Sequence, residues 1–117
     1  MDFVVYYHII AAYAFQYITH MRKEDKFMNT QKKILSVQDI SCYGKCSNTV
    51  MMPLLSAAGL ETVMLPTALL STHTGGFSGF TFLDLTDEMK KMIAHWESIG
   101  LKFDMLCTGY FGSAEQI

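Results

Sequence analysis

Three short apolar runs, each followed by a polar turn, constrain this chain more than any other feature. They are residues 34–37 (Ile-Leu-Ser-Val), 61–65 (Glu-Thr-Val-Met-Leu) and 103–106 (Phe-Asp-Met-Leu). Runs of this length and composition read as strands of a buried sheet. Pro66 is expected to end the second. Between the first two, Val50, Met51, Leu54, Leu55 and Ala58 recur at helical spacing, with Ser47 or Asn48 as cap and Gly59 as stop. Pro53 inside that stretch predicts a bend or a missing backbone bond. Before the third run, Leu85, Met89, Met92, Ile93 and Trp96 share one helical face. Asp84 opens this helix in the manner of a capping box with Asp87, and Gly100 closes it. Strands alternating with helices of this length form βαβ units, which impose a parallel sheet with right-handed crossovers.

Ligands of such sheets bind beyond the carboxyl ends of the strands. Three polar clusters, residues 39–48, 71–80 and 108–113, follow the three runs and are expected to face one pocket. Residues 71–80 (Ser-Thr-His-Thr-Gly-Gly-Phe-Ser-Gly-Phe) are a poor helix and a poor core strand, because glycine costs conformational entropy in both. The composition suits a loop that approaches a small molecule with hydroxyls, backbone amides and a ring face. Asp39 either caps a turn or accepts hydrogen bonds from a ligand hydroxyl or protonated ring nitrogen. His73 is an exposed loop histidine or, beside Thr74 and the glycines, a ligand contact. Tyr110 either packs and hydrogen-bonds or stacks on a ligand at the strand end.

Several function classes fall away. At 117 residues the chain holds at most one small domain, and 50% hydrophobic with 17% charged residues fits a globular core. A net charge of −2, with no basic patch interleaved with aromatics, argues against nucleic acid. Three cysteines, Cys42, Cys46 and Cys107, read as reduced thiols of a cytoplasmic protein. Cys42 and Cys46 lack the further ligands a metal site needs. Gly44-Lys45 is not a phosphate loop, since position 39 is Asp and position 46 is Cys. Residues 1–27 stand apart. Their apolar run precedes its charges rather than following them, unlike a signal peptide, and His8 and Gln16 interrupt it, unlike a membrane span. They read as an extension outside the domain, with Met28 as a natural start; a membrane or targeting role is the alternative.

Residues 34–41 (Ile-Leu-Ser-Val-Gln-Asp-Ile-Ser), 67–76 (Thr-Ala-Leu-Leu-Ser-Thr-His-Thr-Gly-Gly) and 108–116 (Thr-Gly-Tyr-Phe-Gly-Ser-Ala-Glu-Gln) together resemble the pyridoxal (pyridoxamine) kinases of the ribokinase-like superfamily. The resemblance covers about residues 31–117. It implies a partial three-layer, Rossmann-like α/β fold, a parallel sheet flanked by helices and cut off after about three core strands. It also implies phosphorylation of the 5′-hydroxymethyl group of pyridoxal, pyridoxine or pyridoxamine by ATP with Mg²⁺, in a homodimer when full length. Asp39, His73, Thr74, Gly75 and Tyr110 match the family's substrate contacts, although many relatives carry serine where Asp39 stands. The family's nucleotide site and catalytic base lie in a carboxyl-terminal half marked by Gly-x-Gly-Asp, a pattern absent from this sequence. The chain is therefore expected to carry no catalytic base and to be inactive alone. A hydroxymethylpyrimidine kinase and a non-catalytic binding fragment are the competing readings.

Overall fold

The computed structural model describes residues 31–117. The readings of residues 1–27 as an extension or a targeting segment, and of Met28 as a start, lie outside the described residues. The elements in chain order are β1 (Lys33–Ser41), α1 (Asn48–Ala57), β2 (Glu61–Leu70), β3 (Phe82–Asp84), α2 (Thr86–Ser98), β4 (Met105–Thr108) and a 3₁₀ turn (Ala114–Gln116). The strands form one sheet in the order β3-β2-β1-β4. β1 pairs in parallel with both β2 and β4, as the alternating pattern predicts.

Side chains of a strand alternate between faces, and β1 uses the alternation to serve two helices. Leu35 and Val37 face one way. There Val37, Leu65 and Met89 form a core, with Met92, Trp96 and Phe111 packed against it. The apolar face expected for α2 thus meets the sheet, apart from Ile93, which stays exposed. Ser36 and Gln38 face the other way, towards α1. Ser36 Oγ donates to Asn48 Oδ1 (2.8 Å), Gln38 Nε2 donates to Ser36 Oγ (2.7 Å), and Asn48 Nδ2 donates to the Gln38 carbonyl (2.6 Å). These buried polar groups satisfy one another, which removes most of the penalty for taking them out of water.

Both helices end as their glycines foretell. In α1 the Leu60 N–H reaches the Leu55 carbonyl and the Gly59 N–H reaches that of Ser56; in α2 Leu101 reaches Trp96 and Gly100 reaches Glu97. These paired bonds need a left-handed residue after the helix, and Gly59 (φ 83°) and Gly100 (φ 67°) provide it. α1 runs on through Pro53, which has no N–H to give to the Thr49 carbonyl.

Four expectations need correction. Pro66 does not end β2, which continues to Leu70. The missing N–H is accommodated by a bulge: between Gln38↔Pro66 and Ile40↔Leu69, three residues of β2 advance against two of β1. Asp84 does not open α2. It closes β3, an antiparallel strand on the far side of β2 that no alternation announced, so the sheet is mixed. Leu85 stands at the N-cap, and the cap carries no side-chain hydrogen bond, so the box with Asp87 does not form. Asp84 Oδ1 instead accepts the Thr86 N–H (2.8 Å), and its bonds to Thr86 hold its carboxyl below the usual range. Phe103 lies before β4 and packs edge-on against Trp96, with ring centroids 5.7 Å apart. Among the described residues no helix is long and apolar enough to cross a membrane.

The start of β4 is pinned to the start of β1 by Asp104. Its carboxylate accepts the Lys33 N–H (2.8 Å) and the Lys32 ammonium (3.2 Å), and these two contacts, the backbone bond first, lower its pKa. A carboxylate with a depressed folded-state pKa stabilises the fold above its unfolded pKa and loses that contribution as pH falls through the folded value. Asp104→Asn is therefore expected to melt below the parent at pH 7, with the gap closing as pH falls below about 4. Thermal denaturation across that range measures it.

Candidate functional site

The turns after β1, β2 and β4 gather at the carboxyl edge of the parallel strands. Pairing of β1 with β2 carries on past the strands themselves. Cys42 N–H donates to the Leu70 carbonyl (2.9 Å), Tyr43 N–H to that of Ser71 (3.1 Å), and His73 N–H to that of Tyr43 (3.0 Å). This ladder joins two of the expected polar clusters through backbone. The third is joined from β4: Gly109 N–H donates to the Val37 carbonyl (3.0 Å), and Thr67 Oγ1 donates to the Tyr110 carbonyl (2.7 Å).

His73 sits where the first two turns meet. Its ring packs edge-on against Phe77 (centroids 5.0 Å apart), and Phe77 packs edge-on against Tyr43 (5.7 Å). The Gly75 N–H donates to His73 Nδ1 (3.0 Å). In the neutral ring the proton therefore rests on Nε2, which becomes the donor. Gly44 is what lets the imidazole lie there. A Cβ on residue 44 would run into His73 Cδ2 and come within 2.7 Å of Nε2, and φ at Gly44 is 110°.

The five residues singled out from the sequence differ in accessibility. Asp39 is 4% exposed, near the end of β1, and its Oδ2 accepts the Ser41 hydroxyl (2.7 Å). His73 is half-buried, Thr74 and Gly75 are exposed, and the Tyr110 side chain lies at the turn after β4 with the residue 38% exposed. The backbone ladder brings the His73 loop to β1 directly. Tyr110 reaches the same edge through Thr67 and Gly109.

Residues not singled out also build this edge. Gln38 fills the space beside Gly109, where a Cβ would come within 2.8 Å of the Gln38 Cβ. Gln116 donates through Nε2 to the Thr67 carbonyl (2.9 Å) and the Thr86 hydroxyl (2.9 Å), and accepts the Gly112 N–H at Oε1 (2.8 Å). Ser36 and Gln38 left one signal in the sequence: polar residues two apart in a strand otherwise buried mark one polar face inside the protein. Thr67 and Gln116 stand at the ends of the stretches 67–76 and 108–116 but carried no signal of their own. Among the described residues no group of three or more His, Cys, Asp or Glu side chains is placed to hold a metal ion.

This arrangement is part of the ribokinase-like α/β fold, three parallel strands flanked by helices with one antiparallel strand added at the edge. The chain is similar in sequence and structure to pyridoxal kinases and phosphomethylpyrimidine kinases. It is 50% identical, with a TM-score of 0.72, to a protein of Bacteroides thetaiotaomicron described as a phosphomethylpyrimidine kinase and crystallised with pyridoxal, over 74% of this chain and 30% of that one. Lactobacillus plantarum pyridoxal kinase matches at 34% identity and a TM-score of 0.71, over 74% of this chain and 31% of that one. The Entamoeba histolytica pyridoxal kinase matches at 25% and 0.65, over 74% and 32%. The chain thus spans about a third of the length of these relatives. No protein-family model matches the sequence.

Gly44→Ala is expected to push the His73 ring off Phe77. Loss of the nuclear Overhauser contacts between the two rings, with the β1–β2 amide pattern unchanged, checks this; an intact ring pair would contradict it.

Proposed function

We propose that this chain is the substrate-binding part of a pyridoxal kinase, taking pyridoxal, pyridoxine or pyridoxamine at the carboxyl edge of its sheet. One observation carries the reading most. The 50% identical Bacteroides protein was crystallised with pyridoxal, and its similarity to this chain spans 74% of the 117 residues. The chemistry of the edge supports it. His73 presents an Nε2–H donor and Tyr110 a ring face, and Asp39, buried and bonded to Ser41 through Oδ2, would accept from a ring hydroxyl or protonated pyridine nitrogen through its other oxygen. Thr74 adds an exposed hydroxyl, and Gly75 holds the His73 ring in place through its N–H bond to Nδ1.

ATP and Mg²⁺ belong to the proposal for the whole enzyme. Structures of Leishmania donovani pyridoxal kinase, which share this fold, hold ADP. The described residues do not fit that role: they form no metal cluster, and the Gly-x-Gly-Asp pattern is missing from the sequence. Phosphoryl transfer depends on groups that hold the phosphates, the metal and the attacking hydroxyl in line. In this reading residues 28–117 are the amino-terminal part of a kinase domain. The chain binds the acceptor alcohol and does not phosphorylate it. ATP-dependent formation of pyridoxal phosphate by the purified 117-residue chain would contradict that part.

A second reading has its own support, since the same Bacteroides protein is described as a phosphomethylpyrimidine kinase. Both substrates carry a hydroxymethyl group on a heteroaromatic ring. Calorimetric titration of the chain with pyridoxine and with 4-amino-5-hydroxymethyl-2-methylpyrimidine separates them. Pyridoxine is expected to bind more tightly, and His73→Ala or Tyr110→Ala to weaken it roughly tenfold, about 1.4 kcal/mol. Tighter binding of the pyrimidine would favour the second reading.

A further inference from the structure

We propose that Thr67 is a positioning residue for Tyr110, setting the height and tilt of that ring over the substrate pocket; this rests on the proposed role of Tyr110 in lining such a pocket. Thr67 sits directly after Pro66, in the bulge of β2, and is completely buried. Within the bulge its polar groups reach outside the β1–β2 ladder. Its hydroxyl donates to the Tyr110 carbonyl (2.7 Å), and its carbonyl accepts the Leu85 N–H (3.1 Å) and Gln116 Nε2 (2.9 Å). Gln116 in turn accepts the Gly112 N–H (2.8 Å). The turn carrying Tyr110 is therefore held at three backbone points: Gly109 N–H by Val37, the Tyr110 carbonyl by the Thr67 hydroxyl, and Gly112 N–H through Gln116.

The Thr67 hydroxyl reaches the Tyr110 carbonyl from the buried interior. Removing it takes that donor from the carbonyl and frees the peptide plane to rotate. The ring hangs from the Cα next to that carbonyl, so a loosened backbone at residue 110 loosens the ring's base as well. The expected consequence is a looser pocket wall within an intact sheet.

Thr67→Val and Thr67→Ser test this in the 117-residue chain. Amide hydrogen exchange reads the clamp without any ligand. In Thr67→Val the Gly109 and Gly112 amides are expected to exchange roughly tenfold faster, while the β1–β2 amides keep their protection and Thr67→Ser matches the parent. Gln116→Leu, which alters a partly exposed residue, releases the same turn from its outer side and covers the case in which Thr67→Val does not fold. Titration with pyridoxine reads the functional consequence. Affinity is expected to fall roughly tenfold in Thr67→Val, to stay within about twofold in Thr67→Ser, and to fall no further when Thr67→Val is added to Tyr110→Ala. Unchanged exchange at Gly109 and Gly112, a serine variant that behaves like the valine, or additive losses with Tyr110→Ala would each overturn the proposal. A parent chain that ignores pyridoxine overturns the substrate reading instead, and the exchange result still decides the clamp.

Discussion

The structure depends on β1 being paired along both of its edges. A strand with one free edge needs only one partner in register; β1 must satisfy β2 and β4 together. That double pairing fixes where each following turn emerges. It also makes the turn after β1 the meeting place, since the ladder with β2 runs on through Cys42, Tyr43 and His73 beyond the last regular pair. The aromatic contact of His73 with Phe77 and the close approach at Gly44 are built on this backbone alignment.

Two kinds of glue hold the layers: apolar burial, to which α1 contributes Met51 and Leu55, and a polar trio found on the α1 side. The α2 side is apolar, with Val37, Leu65 and Met89 at its centre. The α1 side holds the hydrogen-bonded trio of Ser36, Gln38 and Asn48. Apolar burial supplies most of the driving force but is tolerant of small shifts, whereas a buried hydrogen-bonded trio tolerates few. Gln38 belongs to the trio and also packs against Gly109. The hydrogen-bonded trio thus touches the turn that carries Tyr110.

Much of this was legible in the sequence, and the failures have physical causes. The parallel strands, both helices and their glycine stops followed from apolar spacing, because those elements bury one face. β3 was missed because Phe82, Leu83 and Asp84 are all exposed and leave no burial pattern to read. Pro66 misled because proline usually ends a strand; the bulge beside it resolves the conflict through a register slip that only the partner strand reveals. At the site, His73, Thr74 and Gly75 stood out because unusual residues crowd there. Thr67 and Gln116 did not, since a threonine in a strand and a glutamine near a chain end are ordinary until their partners, 43 and 49 positions apart, are known.

α2 also has an optical consequence. The helix begins beside Gln116 and Thr67, and its last turn carries Trp96, the only tryptophan of the chain. At 1.5 Å per residue the indole lies roughly 15 Å along the helix from that start. There it rests on Phe103, just before β4, by the amino ends of the strands. Indole emission is thus first of all a gauge of whether β4 and α2 remain docked. Tyr43 and Tyr110 are the rings that report on the opposite rim directly.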